Sequence, residues 1–163
     1  MKPTPREKMI QSNFEPGKIT RDGFLGIDVR YIHDIIQADE RTLSKLKISA
    51  NRIADRMQYY IEEGKKGLET SVEVGDCKVR IQWDRGMLPC PFGERGLQHK
   101  LVATVSNEKL SRSVCFSQLS VHLIRAHGFF GGKGSPFRIE PEEIVRILDI
   151  QPNEFRGGKN EKS

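Results

Sequence analysis

Two histidines and one cysteine have the residue types and the spacing that could bind a transition metal. Four residues separate His122 from His127, a spacing found in the histidine half of structural zinc sites. Cys90 lies between two prolines and could supply a thiolate. The sequence therefore predicts a zinc site formed by these three residues and a fourth ligand. The candidates for that ligand are His99, which is included in the predicted site, Cys77 and Cys115.

The spacing of the histidines sets a geometric condition. Residues five positions apart differ by about 140° around a regular α-helix, so one ion contacts both rings only if the last turn distorts. Gly128, directly after His127, allows that distortion. The Cys-x2-Cys half of a zinc finger is missing, however, and Cys77 and Cys115 also fit as buried strand residues. Two interpretations therefore remain open: these cysteines and histidines form one metal site, or they occupy several unrelated packing positions.

The same residues allow an enzymatic interpretation, with Cys90 as nucleophile and a histidine as base. His99, His122 and His127 are the candidate bases. Such a pair is assembled by tertiary folding, and linear positions do not show that these residues meet. We therefore favour a small binding or regulatory module without catalytic activity. A metal-dependent or cysteine-based enzyme at the same cluster is the alternative.

A second alternative is nucleic-acid binding. Residues 42–57, TLSKLKISANRIADRM, have the short helix, tight turn and longer helix of a helix-turn-helix. Asn51, Arg52 and Arg56 would then contact the nucleic acid, because such side chains suit base edges. Asp55 on the same face would repel phosphate, so an ordinary helical hairpin fits as well.

The glycine-rich segment 131–135 is a candidate anion site. Its amides, together with Lys133 and Arg138, could hold an anion. The spacing is not that of a P-loop, and the segment follows a helix and not a strand. The simpler interpretation is a tight connection that needs glycine dihedral angles.

The elements that would position these residues follow from periodicity. Apolar residues at helical spacing predict helices over 28–38, 41–47 and 49–64, which form a helical lobe. Alternating apolar residues around Gly75 and Asp76 predict a hairpin that pairs Val74 with Cys77. Strands over 101–105 and 110–116 follow, and 84–98 is predicted to be a long loop.

Two more helices complete the pattern. Ser117 is a good N-cap for a helix that Gly128 ends, and Pro141 suits the first turn of a helix over 141–149. Phe129 and Phe130 are too apolar for a solvated loop and are expected to anchor it. The predicted fold is α+β, with an N-terminal helical lobe, a four-stranded antiparallel sheet and two C-terminal helices packed on one face.

The domain organisation follows from the same pattern. Residues 1–26 show no sustained period and are predicted to be a flexible or extended arm. Residues 27–150 form one domain, with the helical lobe at 27–64 and the sheet and helices at 70–150. The polar segment 151–163 is predicted to be a disordered tail.

Composition limits the class of protein. The 163 residues carry a net charge of +5, a weak indication of a polyanionic or protein partner. No apolar run approaches the roughly 18 residues that a membrane span needs, and the amino end does not resemble a signal peptide. Three cysteines without framework spacing favour a reducing cytoplasm.

Overall fold

The structure, a computed structural model, describes residues 4–152. Most of the predicted tail, 153–163, lies outside the described residues. The helices within the described range are α1 (Pro5–Ser12), α2 (Ile32–Leu46), α3 (Ala50–Lys65), α4 (Gln118–His127) and α5 (Pro141–Ile147). The strands are β1 (Val72–Val74), β2 (Cys77–Pro89), β3 (Leu97–Asn107) and β4 (Arg112–Ser117). The α+β class predicted from the sequence is confirmed.

The sheet has the predicted antiparallel arrangement, in which each strand pairs with the next along the chain. At the first turn Val74 pairs with Cys77 and Val72 with Val79, as the hydrophobic alternation predicts. Alternate residues of β2 and β3 are buried up to Ile81, and the residues between them are mostly exposed. One face of the sheet therefore forms the main core, whereas the opposite face is more exposed.

Three helices cover the buried face. α3 contacts β2, α4 contacts β3, and α5 contacts β3 and β4, so the helical lobe docks on the sheet. Side-chain caps start two of these helices, because Ser49 accepts from the Arg52 amide and Ser117 from the Ser120 amide. The main core includes Ile53, Met57, Val79, Phe116 and Ile124.

The β2–β3 hairpin is longer than predicted. Both strands continue past a bulge between Trp83 and Met87, so only residues 90–96 connect them, and not the predicted 84–98. The glycine and the proline in the extension obscured its strand pattern, and its residues are mostly exposed, which removes the apolar alternation. The shorter connection places Cys90 directly at the end of β2.

α2 is one continuous helix where the pattern predicted two. The break was expected near residues 39 and 40, where acidic residues interrupt the apolar spacing. Asp39 instead points into the protein and is buried. Asp39 pairs with Arg138, and helical periodicity does not indicate a contact between residues so far apart in the chain.

The N-terminal segment, within the predicted arm, contains a helix. Thr4 and Glu7 form a capping box, and Pro5 occupies the first turn of α1. The chain then buries Phe14 completely in a second hydrophobic cluster. The other buried members of this cluster are Ile32, Ile35, Cys90, Leu119, Leu123 and Phe129.

The glycine-rich segment after α4 packs tightly against the N-terminal segment. Gly132 donates its amide to the Phe24 carbonyl at 2.8 Å, and a Cβ at Gly132 would lie 2.3 Å from the Leu25 carbonyl oxygen. Phe129 and Phe130 are both buried, which confirms that they anchor the loop. Glycine is needed here for close backbone contact.

An ion pair links α2 to the end of this loop. Arg138 donates to both carboxylate oxygens of Asp39, at 2.7 and 2.9 Å, and the two side chains are only 12% and 8% exposed. A bidentate pair of this kind is geometrically specific, and without Arg138 the Asp39 carboxylate would be buried without a compensating charge.

We expect Arg138→Met to destabilise the protein by about 3–5 kcal/mol, because it leaves the Asp39 carboxylate buried and unpaired. Urea unfolding followed by circular dichroism measures this. Arg41→Met, at an exposed position of α2, is the control and should change the unfolding free energy by less than about 0.5 kcal/mol. Equal stabilities of the two variants would show that the pair is not a structural link.

The Asp28 carboxylate predicts a pH dependence. It accepts from Arg30 at 2.6 Å and from the Lys133 amide at 3.0 Å, and chiefly the Arg30 contact holds its pKa well below the usual range. The ionised form therefore stabilises the fold above about pH 4, and this contribution is lost as the pH falls further.

Asp28→Asn should accordingly lower the unfolding free energy at about pH 7, and the deficit relative to wild type should shrink towards pH 3. Urea titrations at both pH values test this, with exposed Asp22→Asn as the control. A deficit that stays constant with pH would contradict the assigned role of the charge.

Candidate metal centre

Four side chains that can bind a metal converge between the β2–β3 connection and the end of α4. They are Cys90, Glu94, His122 and His127, and one ligand atom from each lies within 4.8 Å of the others. The structure thus brings together three of the residues predicted for a zinc site. It adds Glu94, which the spacing of the cysteines and histidines did not indicate.

The individual separations are close to those of a coordination sphere. Cys90 Sγ lies 3.6 Å from His127 Nε2, and Glu94 Oε1 lies 3.4 Å from the same nitrogen. In tetrahedral zinc sites, bond lengths of about 2.0–2.3 Å place sulfur about 3.6 Å and oxygen about 3.4 Å from a neighbouring nitrogen. The third contact, Glu94 Oε1 to His122 Nε2, is shorter at 3.0 Å. Only a small outward movement of the carboxylate would be needed for an ion to fit.

His122 Nε2 is a buried polar atom without a hydrogen bond. It is shielded from solvent and has no aligned partner within residues 4–152. Glu94 is near enough in distance but is not aligned for an N–H···O bond. A buried nitrogen in this situation is costly unless something else satisfies it, and a metal ion at the centre of the cluster would do so.

A short turn positions the two ligands from the hairpin. The Gly93 amide donates to the Cys90 carbonyl at 2.9 Å, and Gly93 has a φ of +91°, which favours glycine. The turn brings Glu94 back over Cys90. Asn13 holds the connection from the other side by donating to the Pro91 carbonyl at 3.0 Å.

α4 positions the two imidazoles. The helix extends to His127 and ends at left-handed Gly128, whose amide bonds to the carbonyl of Ile124. The rings lie 5.6 Å apart although their residues are five positions apart, so side-chain reach bridges the angle that was expected to require a distorted turn. Phe92 stacks on the His127 ring at 3.9 Å and holds its orientation.

Burial lowers the pKa of His127, and the neighbouring Glu94 carboxylate opposes this effect. The neutral imidazole, which is the form that binds metal, is therefore favoured. Cys90 is 5% exposed within the second cluster, and the Glu94 side chain is 47% exposed. The site is thus enclosed on the cysteine side and open to solvent at the carboxylate.

The remaining candidate ligands lie elsewhere. His99 is on β3 with its ring against Trp83, at a centroid distance of 5.6 Å. Cys77 is in the main core and contacts the Ile147 carbonyl, and Cys115 is exposed on β4. The fourth member of the cluster is Glu94 and none of these three residues. The only sequence signal for it was its position four residues after Cys90, across Gly93.

The residues of the predicted anion site make hydrogen bonds within the protein. Arg138 donates all five of its N–H groups to Asp39, Glu140 and the Gly131 carbonyl. The Lys133 amide donates to Asp28, while its side chain is exposed. The Lys133 ammonium faces solvent, and anion binding by this segment stays a prediction.

The residues of the predicted nucleic-acid surface lie on α3. Arg56 packs over Tyr59 and Tyr60 and donates to the Leu148 carbonyl, so its charge is partly engaged within the fold. Asn51 is exposed and Arg52 is half-buried. Nucleic-acid binding through these residues stays a prediction.

Two findings bear on the class of protein. Among residues 4–152, no helix is both long and apolar enough to cross a membrane. No protein-family model, curated protein or solved structure matches this chain. Its function must therefore be inferred from its own geometry.

Proposed function

We propose that this protein is a small zinc-binding module in which one ion joins the β2–β3 connection to the end of α4. The convergence of Cys90, Glu94, His122 and His127 is the observation that supports it. A thiolate, two imidazoles and a carboxylate match the ligands of zinc, whereas calcium and magnesium prefer oxygen ligands. Four protein ligands complete a tetrahedron, which is typical of structural sites.

The same contacts weigh against the alternative of a catalytic cysteine. A nucleophilic thiolate needs access to its substrate, and Cys90 is buried among Phe14, Leu123 and other apolar side chains. Its Sγ lies 3.6 Å from His127 Nε2, which is the separation expected between two ligand atoms of one zinc ion. A non-catalytic metal role therefore explains both the burial of the thiol and its neighbour.

Purified protein should contain zinc in a near 1:1 ratio, and Cys90→Ala should lose most of it. Elemental analysis for zinc and iron measures both results. Cys115→Ala is the matched control, since that cysteine is exposed on β4 and outside the cluster, and it should retain the metal. Protein that takes up no zinc after metal removal and zinc addition would disprove the site.

Metal binding should also raise the unfolding free energy of the protein. Zinc at about a hundredfold excess over its dissociation constant adds about 2.7 kcal/mol, which raises the melting temperature by roughly 5–10 °C for a chain of this size. Wild type and Cys115→Ala should show this increment, whereas Cys90→Ala should not. Comparing each variant with and without zinc separates the metal effect from the packing lost with the buried sulfur.

A further inference from the structure

A cavity of about 290 Å³ lies at the boundary between the two hydrophobic clusters. Ile124 and Phe130 of the main core form part of its wall, and Leu119, Leu123 and Phe129 of the second cluster form another part. None of the four metal-binding side chains lines it. The cavity is therefore a separate feature and does not depend on the zinc proposal.

The cavity is too large to be a simple packing defect. Protein interiors are close-packed, with few voids larger than a water molecule, and an unfilled apolar space reduces stability. Larger side chains at half-buried positions such as Leu88 or Val102 would fill it. A chain that retains such a space beside fully buried aromatic rings has the construction of a ligand site.

Size and wall chemistry define the class of ligand. A dry apolar cavity of about 150 Å³ holds benzene, so a volume nearly twice as large accommodates a bicyclic aromatic molecule. The mouth carries Arg21 and Lys100 against Asp22 and Asp84. These charges balance, so the mouth selects neither an anion nor a cation.

We propose that this cavity binds an uncharged, mainly apolar small molecule of about the size of a bicyclic aromatic ring system. The apolar body lies between α4 and the extended part of the β2–β3 hairpin, and the charged residues at the mouth remain in water. Burial of the ligand's apolar surface supplies the affinity.

Indole is a suitable probe, because it is uncharged, bicyclic and small enough for the cavity. Added to the methyl-labelled 163-residue chain, it should shift the NMR signals of Leu119, Leu123 and Ile124 in a saturable, one-to-one manner. Val102→Phe fills the cavity from β3 and should weaken binding by at least about tenfold. Thr104→Phe is the matched control, since it adds the same ring two residues along the same strand face at an exposed position.

A second pair of variants keeps the test decisive if Val102→Phe does not fold. Leu88→Trp fills the cavity from β2, whereas Leu97→Trp adds the same ring at an exposed position of β3 outside it. Leu88→Trp should abolish the methyl shifts and Leu97→Trp should preserve them. Methyl signals that do not respond to indole up to its solubility limit would overturn the proposal, as would equal binding by the filled and control variants.

Discussion

The left-handed turn at Gly128 is the constraint on which the rest of the site depends. With a φ of +66°, it ends α4 at His127 and directs the next two residues into different parts of the interior. Phe129 enters the second cluster and Phe130 enters the main core. A side chain at this position would be strained in the same conformation, whereas glycine adopts it at little cost. One backbone position thus fixes an imidazole, two aromatic anchors and the start of the glycine-rich segment.

A metal ion would stabilise the connections that contribute to the second cluster. This cluster is smaller than the main core, and part of it lies on connections, including the β2–β3 connection and the chain after α1. Ordering each connecting residue costs about 1–2 kcal/mol of conformational entropy, which the burial of a few apolar side chains offsets poorly. Structural zinc sites in small peptides supply roughly 10–16 kcal/mol of apparent binding free energy. A shared ion is therefore an efficient way to hold the connection against α4.

Local patterns predicted much of the fold and only part of the site. The Ser117 cap, the Gly128 stop and the Val74–Cys77 pairing were all confirmed, since each depends on neighbouring residues alone. Interactions between distant residues were missed. Asp39, which pairs with Arg138, lies in the middle of α2, where a break between two helices was expected. Glu94 was overlooked because a carboxylate in a loop is common and gives no periodic signal.

α4 carries the two proposed sites on different parts of its surface. His122 and His127 face the metal cluster, whereas Leu119 and Leu123 line the cavity. Leu123 follows His122 directly, yet their side chains point about 100° apart around the helix axis. A change at one site therefore need not remove side chains from the other, although both depend on the same helix remaining in place. α4 can therefore contribute apolar side chains to the core and imidazoles to the metal-site candidate from different parts of its surface.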